Sequence, residues 1–297
     1  MKRPQLIRPA LLEARNITRL YGPKQGCEEI DFTLHQGEVL GIVGESGSGK
    51  STLLRVLSGL EKPDNGQVIY HRSEPSFSEL NGTDLTNPDL TNPDLTSPEP
   101  AHTGLSTAEG ALDLYAISEA RRRALLRMEW GLVHQNPRDG LRLGVSAGAN
   151  VSERLMALGQ RHYGNLRAAS QDWMGRVELD PRRIDDAPRT FSGGMQQRLQ
   201  IARTLVTEPR LVFMDEPTGG LDVSVQARLL DMLRTLTRQL GLSVILVTHD
   251  LAVARLLAHR LMVMRQGRVV EAGLTDQILD DPQHDYTQLL VSSVLTP

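Results

Sequence analysis

Nine consecutive residues, Gly44-Glu45-Ser46-Gly47-Ser48-Gly49-Lys50-Ser51-Thr52, restrict what this chain can fold into more than any others. They fit G-x-x-x-x-G-K-[ST], in which glycines let successive backbone N–H groups turn inward around a polyphosphate. The apolar run at 38–43 predicts a buried strand entering the loop, and Leu53-Leu54-Arg55-Val56-Leu57 predicts the first turns of a helix leaving it. That order matters because the helix N-terminus adds its partial positive charge to the cradle. Lys50 is expected to reach the β- and γ-phosphates and the Ser51 hydroxyl to ligate Mg²⁺. Gly44, Ser46, Gly47, Ser48, Gly49 and Thr52 complete the expected ATP-binding loop.

Composition narrows the partners. The 297 residues suit one large or two modest domains, and 39% apolar residues suffice for a core. A net charge of −3 gives no footprint for nucleic acid, and 4% aromatic residues argue against a base-stacking surface. No run reaches the length of a membrane span, so membrane association is expected only through a partner. A single cysteine, Cys27, rules out an internal disulfide and points to the cytoplasm.

Short strands are expected at 11–15, 28–34 and 38–43, with turns at Tyr21-Gly22-Pro23 and Gln36-Gly37, and another strand at 66–70. Between about 73 and 112 a five-residue unit, Asp84-Leu85-Thr86-Asn87-Pro88, repeats with proline in each copy, which predicts a disordered insertion. Order resumes with a helix at 114–127, and residues 149–180 again carry helical spacing, with Val151, Leu155 and Leu158 on its apolar face. A helix should follow Phe191-Ser192-Gly193-Gly194 up to Val206. Buried strands are expected at 130–135, 211–214 and 244–247, a helix with Val225, Leu229, Met232, Leu236 and Leu240 on one face, and a hairpin around Gln266-Gly267. Strand and helix alternate as in a doubly wound parallel sheet, which places ligands at the C-terminal strand ends.

Those ends carry Gln135, Asp215-Glu216 and Thr248-His249-Asp250. Asp215 suits a Mg²⁺-organising carboxylate, and Glu216 a base or water-orienting group for attack on the γ-phosphate. Gln135 and His249 could reach the same place; each alone could equally be a satisfied structural residue. Ser192-Gly193-Gly194 at a helix start is a second anion-binding surface.

The order of phosphate loop, Gln135, the stretch from Phe191 to Gln197, Met214-Asp215-Glu216, Gly219-Gly220-Leu221-Asp222 and Thr248-His249-Asp250 resembles an ABC-type ATPase over nearly the whole chain. The resemblance implies an α/β P-loop NTPase with a parallel-sheet nucleotide core, a small antiparallel β subdomain and an inserted α-helical subdomain. One ABC ATPase domain would cover about 8–290: core and β subdomain at about 8–72 and 114–135, the helical subdomain at about 136–200, core again at 201–270, and a helical tail at 271–297. The resemblance further implies a head-to-tail dimer, each ATP lying between one subunit's phosphate loop and the other's Ser192, Gly193 and Gly194. Asp222 would lie in the loop that crosses the dimer, Tyr21 would stack on adenine, and Gln135 would join Ser51 and Asp215 around Mg²⁺. Phe191 and Met195 depart from the usual leucine and glutamine, but the Ser-Gly-Gly core is intact, so activity is expected to survive.

Two subfamilies compete. Asp222-Val223-Ser224-Val225-Gln226-Ala227 and the tail Asp281-Pro282-Gln283-His284-Asp285-Tyr286-Thr287 are similar to peptide-importer ATPases. Val133-His134-Gln135 with Asp139-Gly140-Leu141-Arg142, then Arg161-His162-Tyr163-Gly164, and residues 191–203 more closely resemble the ATP-binding subunits of the bacterial carbon–phosphorus lyase system for phosphonate breakdown. That likeness implies docking on the lyase core complex, with a second ABC-type subunit of the same system as a further partner. The alternatives are a peptide or phosphonate importer and a slow, nucleotide-gated assembly factor.

Overall fold

Residues 8–22, 25–72 and 110–295 are described in a computed structural model. Two sheets organise them. The first is antiparallel, in the order β2-β1-β4-β5, from β1 (Ala10–Gly22), β2 (Gln25–His35), β4 (Asn65–His71) and β5 (Ala111–Asp113). The second has the order β10-β9-β3-β8-β7-β6, from β3 (Val39–Val43), β6 (Trp130–Val133), β7 (Leu211–Asp215), β8 (Ser243–Val247), β9 (Arg260–Arg265) and β10 (Arg268–Leu274). Its β9, β3, β8, β7 and β6 are mutually parallel, and β10 closes one edge as an antiparallel hairpin with β9.

The continuous apolar character of the central strands follows from burial on both faces. Along β7 and β8, Val212, Met214, Val244 and Leu246 point into one core with the helices, whereas Leu211, Phe213, Ile245 and Val247 point into another. The second core is closed by α1 (Lys50–Leu57) and the antiparallel sheet, through Leu53, Leu57, Ile30 and Leu34. The first is closed by α6 (Gly193–Leu205), α7 (Val223–Leu240) and α8 (Leu251–Leu257). Leu229, Met232 and Leu236 are buried along α7 as their spacing requires, and Gly241 ends that helix in the left-handed conformation.

Between β5 and β6 runs α2 (Glu119–Met128). After β6 come a short α3 (Pro137–Gly140), α4 (Ala147–Ala157) and α5 (Tyr163–Arg176), the last two packed on α6. After β10 follow α9 (Thr275–Asp280) and α10 (Asp285–Leu295).

Three local expectations change. Tyr21-Gly22 is strand rather than turn: β1 continues through it and Gly22 pairs with Gln25, while Pro23 lies outside the described residues. The helical spacing at 149–180 is two helices, and Leu158, expected on the apolar face, is exposed at the break. The end of the stretch expected to be a disordered insertion is ordered: Ala111 and Leu112 belong to β5, with Leu112 opposite Tyr70. The repeat around Asp84 lies outside the described residues.

Candidate nucleotide site

The parallel sheet gathers the polar strand ends. Ile42 pairs with Val247 and Asp215 with Val247, so the loop after β3, the Asp215-Glu216 corner and Thr248-His249 emerge side by side. Val133 opposite Met214 adds Gln135 to the same edge. They border a cleft of about 920 Å³ lined by Tyr21, Gln25, Gly26, the phosphate loop from Gly44 to Thr52 except the buried Ser48, and by Arg55, Gln135, Glu216 and His249. Pieces of chain more than 200 residues apart thus make one surface.

The loop is wound too tightly for side chains at two points. Gly49 has φ +98°, and a Cβ there would sit 2.1 Å from the Gly26 carbonyl oxygen. Gly44 has φ +148°, with an added Cβ 2.2 Å from the Met264 carbonyl oxygen. Both need glycine for conformation and for space. Lys50 is buried and folds back, its Nζ donating to the carbonyls of Gly44 (2.8 Å) and Glu45 (2.7 Å) and to Ser48 Oγ (3.3 Å). Burial holds the Lys50 ammonium below the usual lysine range, while the charges of Glu216, Asp215 and Glu45 oppose that drop.

Ser51 Oγ donates to Asp215 Oδ1 at 3.4 Å. The Asp215 carboxyl is pushed above the ordinary aspartate range, first by burial and then by the neighbouring Glu216 charge. Two adjoining carboxylates and a hydroxyl, all hard oxygen donors, are a donor set that fits a Mg²⁺ ion, with the Lys50 and Arg55 charges acting on Asp215 as well. Gln135, with its side-chain oxygen, stands at the same edge.

Glu216 is gripped at both carboxylate oxygens. His249 Nδ1 lies 2.9 Å from Oε1, and Gln135 Nε2 donates to Oε2 at 2.9 Å. Its backbone occupies the left-handed region at φ +42°, a conformation that costs a non-glycine residue about 1–3 kcal/mol. The Glu216 amide donates to the Val247 carbonyl at 2.9 Å, which helps hold that geometry. One carboxylate is therefore oriented from three strands at once.

Tyr21 is half exposed in the cleft wall. Its hydroxyl donates to Glu61 Oε2, and the Arg19 guanidinium stands 5.0 Å from the ring centre. With Arg19 over the ring, an adenine could stack on the opposite face.

Ser192, Gly193, Gly194 and Asp222 are not brought to this cleft; none is among its lining residues. Ser192 caps α6, its Oγ accepting from the Met195 amide at 3.4 Å, and a Cβ on Gly193 would meet open space. Asp222 starts α7 with no side-chain cap bond. The departures at Phe191 and Met195 have a shared partner: Arg183 stacks 4.4 Å from the Phe191 ring and donates to Met195 Sδ.

Sequence reasoning missed three contributors to the cleft. Leu290 and Ser293 of α10 line it, and the Tyr286 hydroxyl accepts from the Glu45 amide at 3.1 Å. The tail was noted only as a subfamily resemblance; no local pattern announces a contact across 241 residues. Gln200 was also missed. In its hydrogen-bonding orientation the buried amide donates to the His134 carbonyl and accepts from the His134 amide, at 3.1 and 3.0 Å, fastening α6 to the strand end that carries Gln135.

A glycine-wound phosphate loop between strand and helix, facing a strand-end carboxylate pair, defines a P-loop nucleotide-hydrolysing protein. A sequence model of the ABC transporter family matches residues 27–219, and the chain belongs to that family as an ATPase of the ABC type. It is 57% identical over 285 residues to the putative phosphonates utilization ATP-binding protein PhnK of Escherichia coli K12, covering 96% of this chain and 98% of that one. Identity to the dipeptide transport ATP-binding protein DppF of the same organism is 32% over 293 residues, covering 95% and 76%. A solved dimeric bacterial ABC transporter cassette is similar in fold, with TM-score 0.68 and 25% identity over 89% of this chain and 99% of that one.

Proposed function

We propose that this chain is the ATP-binding and ATP-hydrolysing subunit of the carbon–phosphorus lyase system for phosphonate breakdown. It would act in the cytoplasm as a head-to-tail dimer docked on the lyase core complex, beside a second ABC-type subunit of that system. The observation that carries this reading is 57% identity along nearly all of both chains to a protein named for phosphonate utilization, against 32% to a dipeptide transport protein. The dimeric form of the similar solved cassette supports the dimer.

In this reading ATP lies along residues 44–52 with its adenine on Tyr21. Ser51, Asp215 and Gln135 would hold Mg²⁺, which offsets charge on the β- and γ-phosphate oxygens. Glu216 positions a water for in-line attack on the γ-phosphorus and takes its proton as the bond to the bridging oxygen of ADP breaks. His249 and Gln135 keep both Glu216 oxygens aimed, and His249 Nε2 is left to meet the γ-phosphate. Ser192, Gly193 and Gly194 of the second copy would complete the site with backbone donors and a helix N-terminus, and Asp222 would lie at the crossing.

Affinity capture from cells grown on a phosphonate as sole phosphorus source tests the assignment. Recovery of soluble lyase subunits is the expected result. Recovery of a membrane permease without lyase subunits would replace it with the importer reading.

A further inference from the structure

The phosphate loop is held from outside by an element beyond the part of the chain that matches the family model. That match ends at residue 219, whereas α10 begins at Asp285 and presses on the loop's first peptide unit. The unit joining Gly44 to Glu45 is gripped at both ends. Lys50 Nζ donates to its carbonyl at 2.8 Å, and its N–H donates to the Tyr286 hydroxyl at 3.1 Å.

The two grips differ in permanence. All three Lys50 protons are engaged inside the loop, on Gly44, Glu45 and Ser48. A polyphosphate that recruits Lys50 must therefore take it from at least one of them, and the carbonyl side of this peptide then loses its partner. Tyr286 has no such competing task. It is buried, with the Arg265 guanidinium 4.8 Å from its ring centre and its own amide donating to His284 Nδ1 at 3.0 Å. The turn before it is fastened to β10, where Glu271 accepts from the amides of Gln283 (2.8 Å) and His284 (3.1 Å). One and two turns further along α10, Leu290 and Ser293 line the nucleotide cleft itself.

We infer that Tyr286 is a positioning residue for ATP binding: its hydroxyl fixes the Gly44–Glu45 peptide when Lys50 turns to the phosphates, and α10 is thereby a wall of the nucleotide site. This rests on Lys50 serving the phosphates. Failure of that premise is separable, because Lys50→Ala would then leave ATP affinity unaltered.

Tyr286→Phe keeps the buried ring and removes only the acceptor. With Mg-ATP as the probe, KM and Kd are expected to rise about three- to tenfold while kcat at saturation stays within about twofold, the split that marks lost binding rather than lost chemistry. A lower Tm with unchanged KM would reduce Tyr286 to a structural residue and overturn the inference, as would a loss of kcat at unchanged KM. In the unmodified chain, Mg-ATP is expected to slow amide exchange across residues 285–293. Exchange there that ignores ATP would also overturn it.

Discussion

The two glycine-rich helix starts of this molecule have opposite surroundings. At residues 44–52 the chain supplies everything within reach: Lys50 is saturated by loop acceptors, and Glu216 is held from both sides. Tyr286 pins the loop's outer face. At the other start Ser192 and Gly193 are exposed and Gly194 half-buried, the helix is capped by its own serine, and none of the three lines the nucleotide cleft. The first is surrounded by its own chain, whereas among the described residues none of those lining the cleft reaches the second. Both share the physics of a helix N-terminus, yet only one has a carboxylate pair opposite it. The contrast is what a site shared between two copies requires.

Breaking the half around the phosphate loop should give the largest effect. Glu216→Gln is expected to lower ATP turnover by about 10²- to 10⁴-fold, the range for losing a general base, while ATP binding persists and the dimer accumulates. Phosphate release and size-exclusion chromatography with ATP check this; undiminished turnover would remove Glu216 from the chemistry. Gly193→Asp probes the open half. A side chain there meets no neighbour, so the fold should keep its Tm, but a carboxylate facing a γ-phosphate should cost turnover about 10²-fold. ATP affinity of the isolated chain should hardly change. Lys50→Ala should do the reverse and weaken ATP binding about thirtyfold, as expected for a lost charge-assisted contact of about 2 kcal/mol, measurable by calorimetry.

The smallest effect concerns charge. Because burial and Glu216 raise the Asp215 pKa, the folded chain holds this proton more tightly than the unfolded chain does. The group thus favours the fold below the unfolded aspartate value and loses that contribution as pH rises through its higher folded value. Above that point the ionised Asp215 carboxylate is an oxygen ligand available to a divalent cation. Thermal stabilisation by Mg²⁺ without nucleotide should be full near neutrality and fade as pH falls through the raised Asp215 value, before an ordinary aspartate would protonate. A Mg²⁺ effect that stays level across the acidic range would count against Asp215 as a ligand.

How much of this was legible in the sequence follows from the range of each interaction. The flanks of the phosphate loop, Val39–Val43 and Lys50–Leu57, announce themselves through an apolar run and helical spacing. So does α7, whose buried stripe ends at Gly241. The polar strand ends could be proposed as a site because a parallel sheet aligns its C-terminal edges, and the structure does bring Gln135, Glu216 and His249 together. Tyr21-Gly22 misled because hydrogen bonding to the neighbouring strand overrides a local turn preference. The break after α4 is marked by Gly159, at φ +94°, a local stop signal that the helical spacing on either side outweighed in the sequence. Tyr286, Leu290 and Ser293 were invisible for a different reason: their role depends on where the chain returns, and no local periodicity encodes that. Ser192, Gly193 and Gly194 read as an anion-binding helix start that the family resemblance assigns to a second copy's ATP, and in the structure they stand outside the cleft of their own chain.

Mixing two crippled chains tests the shared site most directly. Lys50→Ala cripples one half and Gly193→Asp the other, so at an ATP concentration that fills the unmodified loop but not the roughly thirtyfold weaker Lys50→Ala loop, each variant alone should be nearly inactive. In a head-to-tail dimer of one of each, one composite site has both halves intact. Equimolar mixing should therefore restore about a quarter of the unmodified ATPase rate, since half the dimers are mixed and each carries one intact site of two. Mixtures as inactive as the separate variants, or a Gly193→Asp chain that hydrolyses ATP normally by itself, would contradict a site built from two copies.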